Sequence, residues 1–371
     1  MGSENHTGPN RALVVGVSGI QGRAVSDRLL ENDWQVYGLA RRPPESRPGF
    51  VPVAADLGDP DNLAEALAGI DPTHVFFTAW ARQDTESENC KVNGAMLRNL
   101  LAVVSPSASL RHVALTTGLK HYLGPFEAYA KVKPDTPFRE EQERLPYENF
   151  YYVQEDILWE FADNSDFTWS VHRPHTVIGF AIGNAMNMGM TLAIYGEICR
   201  ESRRPFFFPG SPEQYHAATD VTDARILAHH LEWAATTPEA ANEALNIVNG
   251  DVFRWRRMWN VLADGLGLEA AEYPGHAVPL EEQMADAAPI WDRIVERYDL
   301  ARHPLDTLAS WWHSDLDLGR TIETFTDMNK SRGLGFNAFQ STERSFLDLF
   351  DQMRRERIIP AEFGSTPTAR S

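Results

Sequence analysis

Cysteine is scarce in this chain: its 371 residues include two, Cys90 and Cys199. Neither lies in a Cys-x-x-Cys or a Cys/His cluster. That excludes a disulfide framework and a zinc-ribbon site, predicts no metal, and fits a reducing cytoplasm. Basic residues are also few. Lys and Arg number 34 against 52 Asp and Glu, a net charge of −18. No global basic field draws in a polyanion, so nucleic acid and an anionic membrane surface are not expected partners. Long apolar runs are missing too. The opening MGSENHTGPN has no apolar core, so no signal peptide is expected. The most apolar long stretch, residues 181–199, is broken by Asn184, Asn187 and Glu197 and is too polar to span a bilayer.

What is present suits a globular enzyme. Hydrophobic residues make up 43% and charged residues 23%, enough for a sizeable core without cross-links. The length suits two domains, or one domain with an elaborated lobe. From Ala12, short β-branched runs alternate with helical patterns. ALVVGV, WQVYGLA, THVFFTA and RHVALTT read as strands. GRAVSDRLLEN, DPDNLAEALAG and SENCKVNGAMLRNLLAVV read as helices between them. This alternation predicts βαβ units and a doubly wound, Rossmann-like parallel sheet covered on both faces. PFEAYAKVKPDTPFREEQERLP then reads as a surface loop, NFYYVQEDILWEFADN as a helix and FTWSVHRP as a strand. Further on, TDVTDARILAHHLEWAA reads as a capped helix and EALNIVNG as a strand. The expected division is a nucleotide-binding domain over 1–174, to which 215–250 returns. A smaller, mainly helical substrate lobe would occupy 175–214 and 251–371.

Three motifs carry chemistry. GVSGIQG places Gly16, Gly19 and Gly22 between the first strand and the first helix. Glycine lets the backbone approach a pyrophosphate, and the helix N-terminus offers N–H groups. This GxxGxxG spacing is the short-chain dehydrogenase variant. Arg41 and Arg42 end the second strand, where an acid would take the ribose 2′-hydroxyl of NAD. Two arginines and no acid favour the 2′-phosphate of NADPH. Asp56 is placed either to accept from the adenine amino group, with Leu57 against the ring, or simply to cap a helix. The third motif is a pair, Lys120 and Tyr152. The usual Tyr-x-x-x-Lys is absent, because Asp156 stands four residues after Tyr152. Lys120, just past the fourth strand at the carboxyl edge of the sheet, can supply the ammonium from another element. On the residues alone, this reading and a bland one stand level: Lys120 as a surface lysine and Tyr152 as a packing residue.

TGLKHYLGPF, NFYYVQEDIL, TWSVHRPHTVIGF and MNKSRGLGF resemble the progesterone 5β-reductase and iridoid synthase-like (PRISE) family, an atypical branch of the extended short-chain dehydrogenases. The resemblance runs from about residue 12 to 360. It implies catalysis by Lys120 and Tyr152, NADPH as cofactor, and reduction of the C=C bond of a small hydrophobic enone or enal. It implies cofactor contacts from Gly16, Ser18, Gly19, Ile20, Arg41, Arg42, Asp56 and Leu57. Thr78, Ala79, Thr117, Tyr152 and Ile178 would continue them, with Ala185 and Met186 closing over the nicotinamide. A homodimer is implied as well. The chain departs from the family at His175, where glycine is usual after HRP. That histidine is a proton donor, a substrate contact or a filled gap, the last reading being favoured. Trp80, Phe126, Met190 and Phe336 are further candidates for an apolar substrate wall.

The implied mechanism sends hydride to the β-carbon, with Tyr152 and Lys120 stabilising the enolate oxygen. Direct 1,2-reduction of a carbonyl, or alcohol oxidation, uses the same residues and is the alternative. A sugar-nucleotide epimerase is weakened by the absent Tyr-x-x-x-Lys. A non-catalytic NADPH sensor is disfavoured because both Lys120 and Tyr152 are kept.

Overall fold

The computed structural model describes residues 10–125, 134–184 and 186–361. Seven parallel strands form one sheet in the order β3-β2-β1-β4-β5-β6-β9. They are β1 (Arg11–Val15), β2 (Gln35–Ala40), β3 (Phe50–Ala54), β4 (His74–Phe77), β5 (His112–Thr116), β6 (Thr168–Pro174) and β9 (Glu243–Ile247). β7 (Val177–Ile178) and β8 (Thr222–Asp223) make a separate two-residue pair. The helices of the sheet region are α1 (Ile20–Glu31), α2 (Pro60–Ala66), α3 (Glu86–Val104), α4 (Lys120–Leu123) and α5 (Phe150–Ala162). Next come α6 (Met188–Ser202), α7 (Pro212–His216) and α8 (Ala224–Thr236). The C-terminal third adds α9 (Trp255–Leu266), α10 (Leu280–Gln283), α11 (Ala287–Tyr298), α12 (Leu305–Leu308), α13 (Trp311–Leu318), α14 (Asn329–Gly333) and α15 (Thr342–Arg355).

The central strands β1, β4 and β5 are mostly apolar and buried because both faces are covered. Leu13 and Val15 of β1 point into a core shared with α3 and α5, while Ala12 and Val14 point into one shared with α1 and α8. β3 was not foreseen from the sequence. Its run FVPVA is short and carries Pro52, which an edge strand tolerates because one side of its ladder needs no donor. A third core belongs to the helical region, where α6 packs with α9, α11 and α15 around Tyr195, Trp259 and Trp291. Two residues expected to touch substrate are spent on cores. Met190 is fully buried in that third core. Phe336 is buried against His229, His230 and Trp233. Large apolar side chains at helical spacing bury more surface between elements than at a cavity wall. Among the described residues no helix is long and apolar enough to cross a membrane.

One face of the sheet holds a hydrogen-bonded chain of imidazoles. His112 of β5 contacts Thr168 and Ser170, each at 2.8 Å. Ser170 reaches His172 at 2.8 Å, and His172 reaches His230 of α8 at 2.8 Å. His74 lies beside His112 across the β4–β5 register. Burial holds all four below the usual histidine range, His74 at about 4 and His230 at about 3. They are neutral in the fold but take up protons in the unfolded chain below about pH 6.5. Their contribution is therefore complete above that pH and is lost as pH falls through it. Denaturant titration is expected to show stability dropping by several kcal/mol, on the order of 1.4 per unit of pKa shift, between pH 7 and pH 5. A flat profile over that window would contradict the reading.

Candidate functional site

The turn after β1 is built around Gly16. Its φ is +88°, and a Cβ there would lie 3.0 Å from the backbone of Ala79. Only glycine fits without strain. At Gly22 a Cβ would strike the Gly16 carbonyl oxygen at 2.3 Å, so this glycine packs α1 against the turn rather than facing the cleft. Gly19 caps α1 and no side chain caps it, which leaves the helix N-terminus to a ligand. The cleft at this turn has a volume of about 820 Å³. Gly16, Ser18, Gly19, Arg41, Asp56, Leu57, Thr78, Ala79 and Met186 line it. These residues suit a dinucleotide: small residues at the turn, a helix N-terminus for pyrophosphate, and Arg41 and Asp56 at the far end. Arg42 is exposed beside the cleft and is not part of its wall. Ile178 is buried near α15 instead. Ala185 and Phe126 lie outside the described residues.

The cleft continues past Gly19, Thr78, Trp80 and Met186 into an inner cavity of about 180 Å³. Ile20, Thr117, Lys120, Phe150, Tyr151 and His175 line it. Lys120 reaches it because β5 ends at Thr116 and α4 begins at Lys120 itself. Its Nζ lies 2.7 Å from Glu86 Oε2 and 4.7 Å from the centroid of the Phe150 ring. Glu86 opens α3, where the positive helix end favours a carboxylate. Its other oxygen accepts the backbone N–H of Phe150 at 3.0 Å. One carboxylate therefore ties the lysine to the start of α5. Asn149, the cap of α5, makes a second tie: its amide donates to the Lys120 carbonyl at 2.7 Å, and its oxygen accepts the Tyr151 N–H.

The structure corrects the expectation for the tyrosine. Tyr152 does not face the cavity. Its ring is buried, and its hydroxyl donates to the His121 carbonyl at 2.5 Å while accepting the Leu145 N–H at 3.0 Å. Burial raises its pKa further. The Arg144 guanidinium lies over its ring, 4.8 Å from the centroid. Nearby, Glu155 is fully buried between Arg144, Arg173 and His121. Burial pushes its pKa up, but those partners outweigh it and hold it at about 2. Tyr151 is half-exposed and lines the cavity, with its hydroxyl beside Gly118; a Cβ on that glycine would stand 3.2 Å from it. Adjacent helix positions differ by about 100° in direction, so only one of two neighbouring tyrosines can face a given cavity.

His175 also lines the cavity, with both ring nitrogens engaged. Nδ1 lies 2.6 Å from Asp220 and Nε2 lies 2.9 Å from Arg320. A guanidinium can only donate, so Nε2 accepts and the single N–H points at Asp220. His175 is thus a strut that holds Arg320, with both ring nitrogens already engaged. Trp80 lines both cavities and stacks on Phe150 at 5.7 Å. Sequence reading missed His313, Asp317 and Arg320, which form another wall from α13 and just beyond. Their i, i+4, i+7 spacing on a helix was the available signal. No cluster able to hold a metal occurs among the described residues.

The sequence matches the PRISE-like Rossmann-fold domain over residues 56–360. This chain belongs to that family. It is 41% identical over 361 residues to an (S)-8-oxocitronellyl enol synthase of Nepeta racemosa, covering 94% of this chain and 93% of that one. It is 38% identical over 362 residues to a 3-oxo-Delta(4,5)-steroid 5-beta-reductase of Arabidopsis thaliana, with 94% and 93% covered. Among solved structures, a UDP-glucose 4-epimerase of Thermotoga maritima superposes with a TM-score of 0.66 at 14% identity, covering 93% and 99%. A short-chain dehydrogenase/reductase of Agrobacterium tumefaciens gives 0.63 at 16%, covering 94% and 98%. At that identity these two speak for the extended short-chain dehydrogenase fold alone.

If Tyr152 is structural, Tyr152→Phe strands the Leu145 N–H and the His121 carbonyl. Chemical denaturation should show a loss of about 1–3 kcal/mol. A variant as stable as wild type would argue against this role.

Proposed function

We propose that the chain is an NADPH-dependent reductase of activated C=C bonds, acting on small hydrophobic α,β-unsaturated ketones or aldehydes. The observation that carries this reading is the joint placement of Lys120 and Tyr151 in a cavity continuous with the glycine-turn cleft. The names of the relatives support it, one of them describing reduction of a steroid whose 4,5 double bond is conjugated with its 3-oxo group. Arg41 in the cleft wall supports NADPH over NADH, since its guanidinium suits a 2′-phosphate.

NADPH bound in the cleft would supply the hydride for the β-carbon of the substrate. The residues of the chain handle the charge this creates. The Tyr151 hydroxyl donates to the carbonyl oxygen as it becomes an enolate. Lys120 stabilises the same region electrostatically from a site that Glu86, Phe150 and Trp80 keep largely dry. Glu86 fixes the ammonium in place, so little reorganisation is needed when charge develops. The α-carbon then takes a proton from water.

The decisive assay follows NADPH oxidation with cyclic and linear enones, with products identified by mass. Wild type should give saturated carbonyl compounds. Tyr151→Phe and Lys120→Met should each lose about a hundred- to a thousandfold in turnover. Arg41→Ala should weaken NADPH binding about ten- to a hundredfold and leave NADH binding unchanged. Allylic alcohols as products would establish 1,2-reduction instead. An undiminished Tyr151→Phe variant would remove the proposed acid.

A further inference from the structure

The wall formed by α13 offers the inner cavity a histidine that the reaction above does not use. His313, Asp317 and Arg320 share that wall with His175. The charged members of the wall are already engaged. Arg320 pairs with Asp317 and with His175, and the second Asp317 oxygen accepts the Thr176 hydroxyl at 2.9 Å. Across the cavity Lys120 is held by Glu86. His313 differs from all of these. Its Nδ1 is buried with no hydrogen-bond partner, and none of the hydrogen bonds among the described residues reaches its ring. The ring is held edge-on to Trp312 at 5.6 Å, and Trp312 is in turn covered by the Arg82 guanidinium at 3.6 Å.

A buried polar nitrogen without a partner costs stability, and a phenyl ring would fill similar space without that cost. The other ring nitrogen, Nε2, is not sealed off, so a ligand group bonded there gives this otherwise unpartnered imidazole a role in recognition. We propose that His313 is a specificity-determining residue, hydrogen-bonding a second, uncharged polar group, a hydroxyl or carbonyl, that the substrate carries away from its conjugated carbonyl. This rests on the enone-reductase reading and narrows its substrate class.

The electrostatics of the wall fit a neutral group. Burial lowers the pKa of His313, with Asp317 pulling the other way, so the imidazole is neutral and can both donate and accept. The Asp317 and Arg320 charges offset each other in a contact pair. The one further guanidinium acting on His313, that of Arg82, is seated on the face of Trp312. A site built to bond a hydroxyl rejects the analogue lacking it far more strongly than an apolar pocket rejects one methylene.

The test uses pairs of linear enones, each 3-en-2-one with a plain alkyl tail against the same tail ending in a hydroxyl, at chain lengths from six to ten carbons. Binding to the NADP⁺-loaded protein is measured by calorimetry, and kcat/KM is measured with NADPH. Wild type should favour the hydroxylated member by about tenfold at one or more lengths, in both Kd and kcat/KM. His313→Phe should erase the preference while keeping the plain enone, and His313→Gln should restore part of it. Equal losses on both members in His313→Phe, or no preference in wild type at any length, would overturn the proposal. If wild type leaves the C=C bond of every enone intact, the reductase reading fails, and the Kd comparison alone decides the role of His313.

Discussion

The site depends on one buried ion pair. Glu86 and Lys120 meet at 2.7 Å with side chains only 10% and 8% exposed, and the same carboxylate holds the first N–H of α5. Three elements converge there: the start of α3, the turn after β5 and the start of α5. Removing one partner from such a pair leaves an uncompensated buried charge, typically a loss of about 3–5 kcal/mol. The pair is weak evidence for net stability, but through Glu86 it ties the start of α3, the turn after β5 and the start of α5 to one point.

That arrangement replaces the usual way of pairing a tyrosine with a lysine in short-chain dehydrogenases. Elsewhere both residues stand on one helix, four apart. Here, counting from Tyr151, Glu155 occupies the later position and is buried between Arg144, Arg173 and His121. The ammonium comes from the end of β5, so its relation to α5 must be fixed by contacts across elements. Asn149 supplies one contact through the Lys120 carbonyl, and Tyr152 supplies another through the His121 carbonyl. Tyr152 is thus one of the clamps that set the register of its neighbour, Tyr151. Beneath it, the Glu155 cluster with Arg144, Arg173 and His121 anchors α5 to β6.

Much of this was legible in the sequence. The strand–glycine–helix start, the alternation of elements and the position of Lys120 beyond a strand all follow from pattern and spacing. The choice between Tyr151 and Tyr152 does not, because helix phase is set by the Asn149 cap and by partners distant in the chain. Met190 and Phe336 misled for a related reason: an apolar side chain has the same signature at a cavity wall as in a core. β3 was hidden by Pro52 and its short length. His175 lines the cavity, but the engagement of both its ring nitrogens appears only once Asp220 and Arg320 close around it. Arg320 comes from 145 residues away, beyond any local pattern.

The central claim is that Lys120 and Tyr151 act as a unit whose geometry is set from outside either residue. A double-mutant cycle in kcat/KM for enone reduction tests it most directly, using Lys120→Met, Tyr151→Phe and the combination. Groups that work as a unit are not additive. The account predicts that the double variant is no slower than the worse single variant, within a few-fold. Losses that multiply across the two positions would show that lysine and tyrosine act independently, and would contradict it.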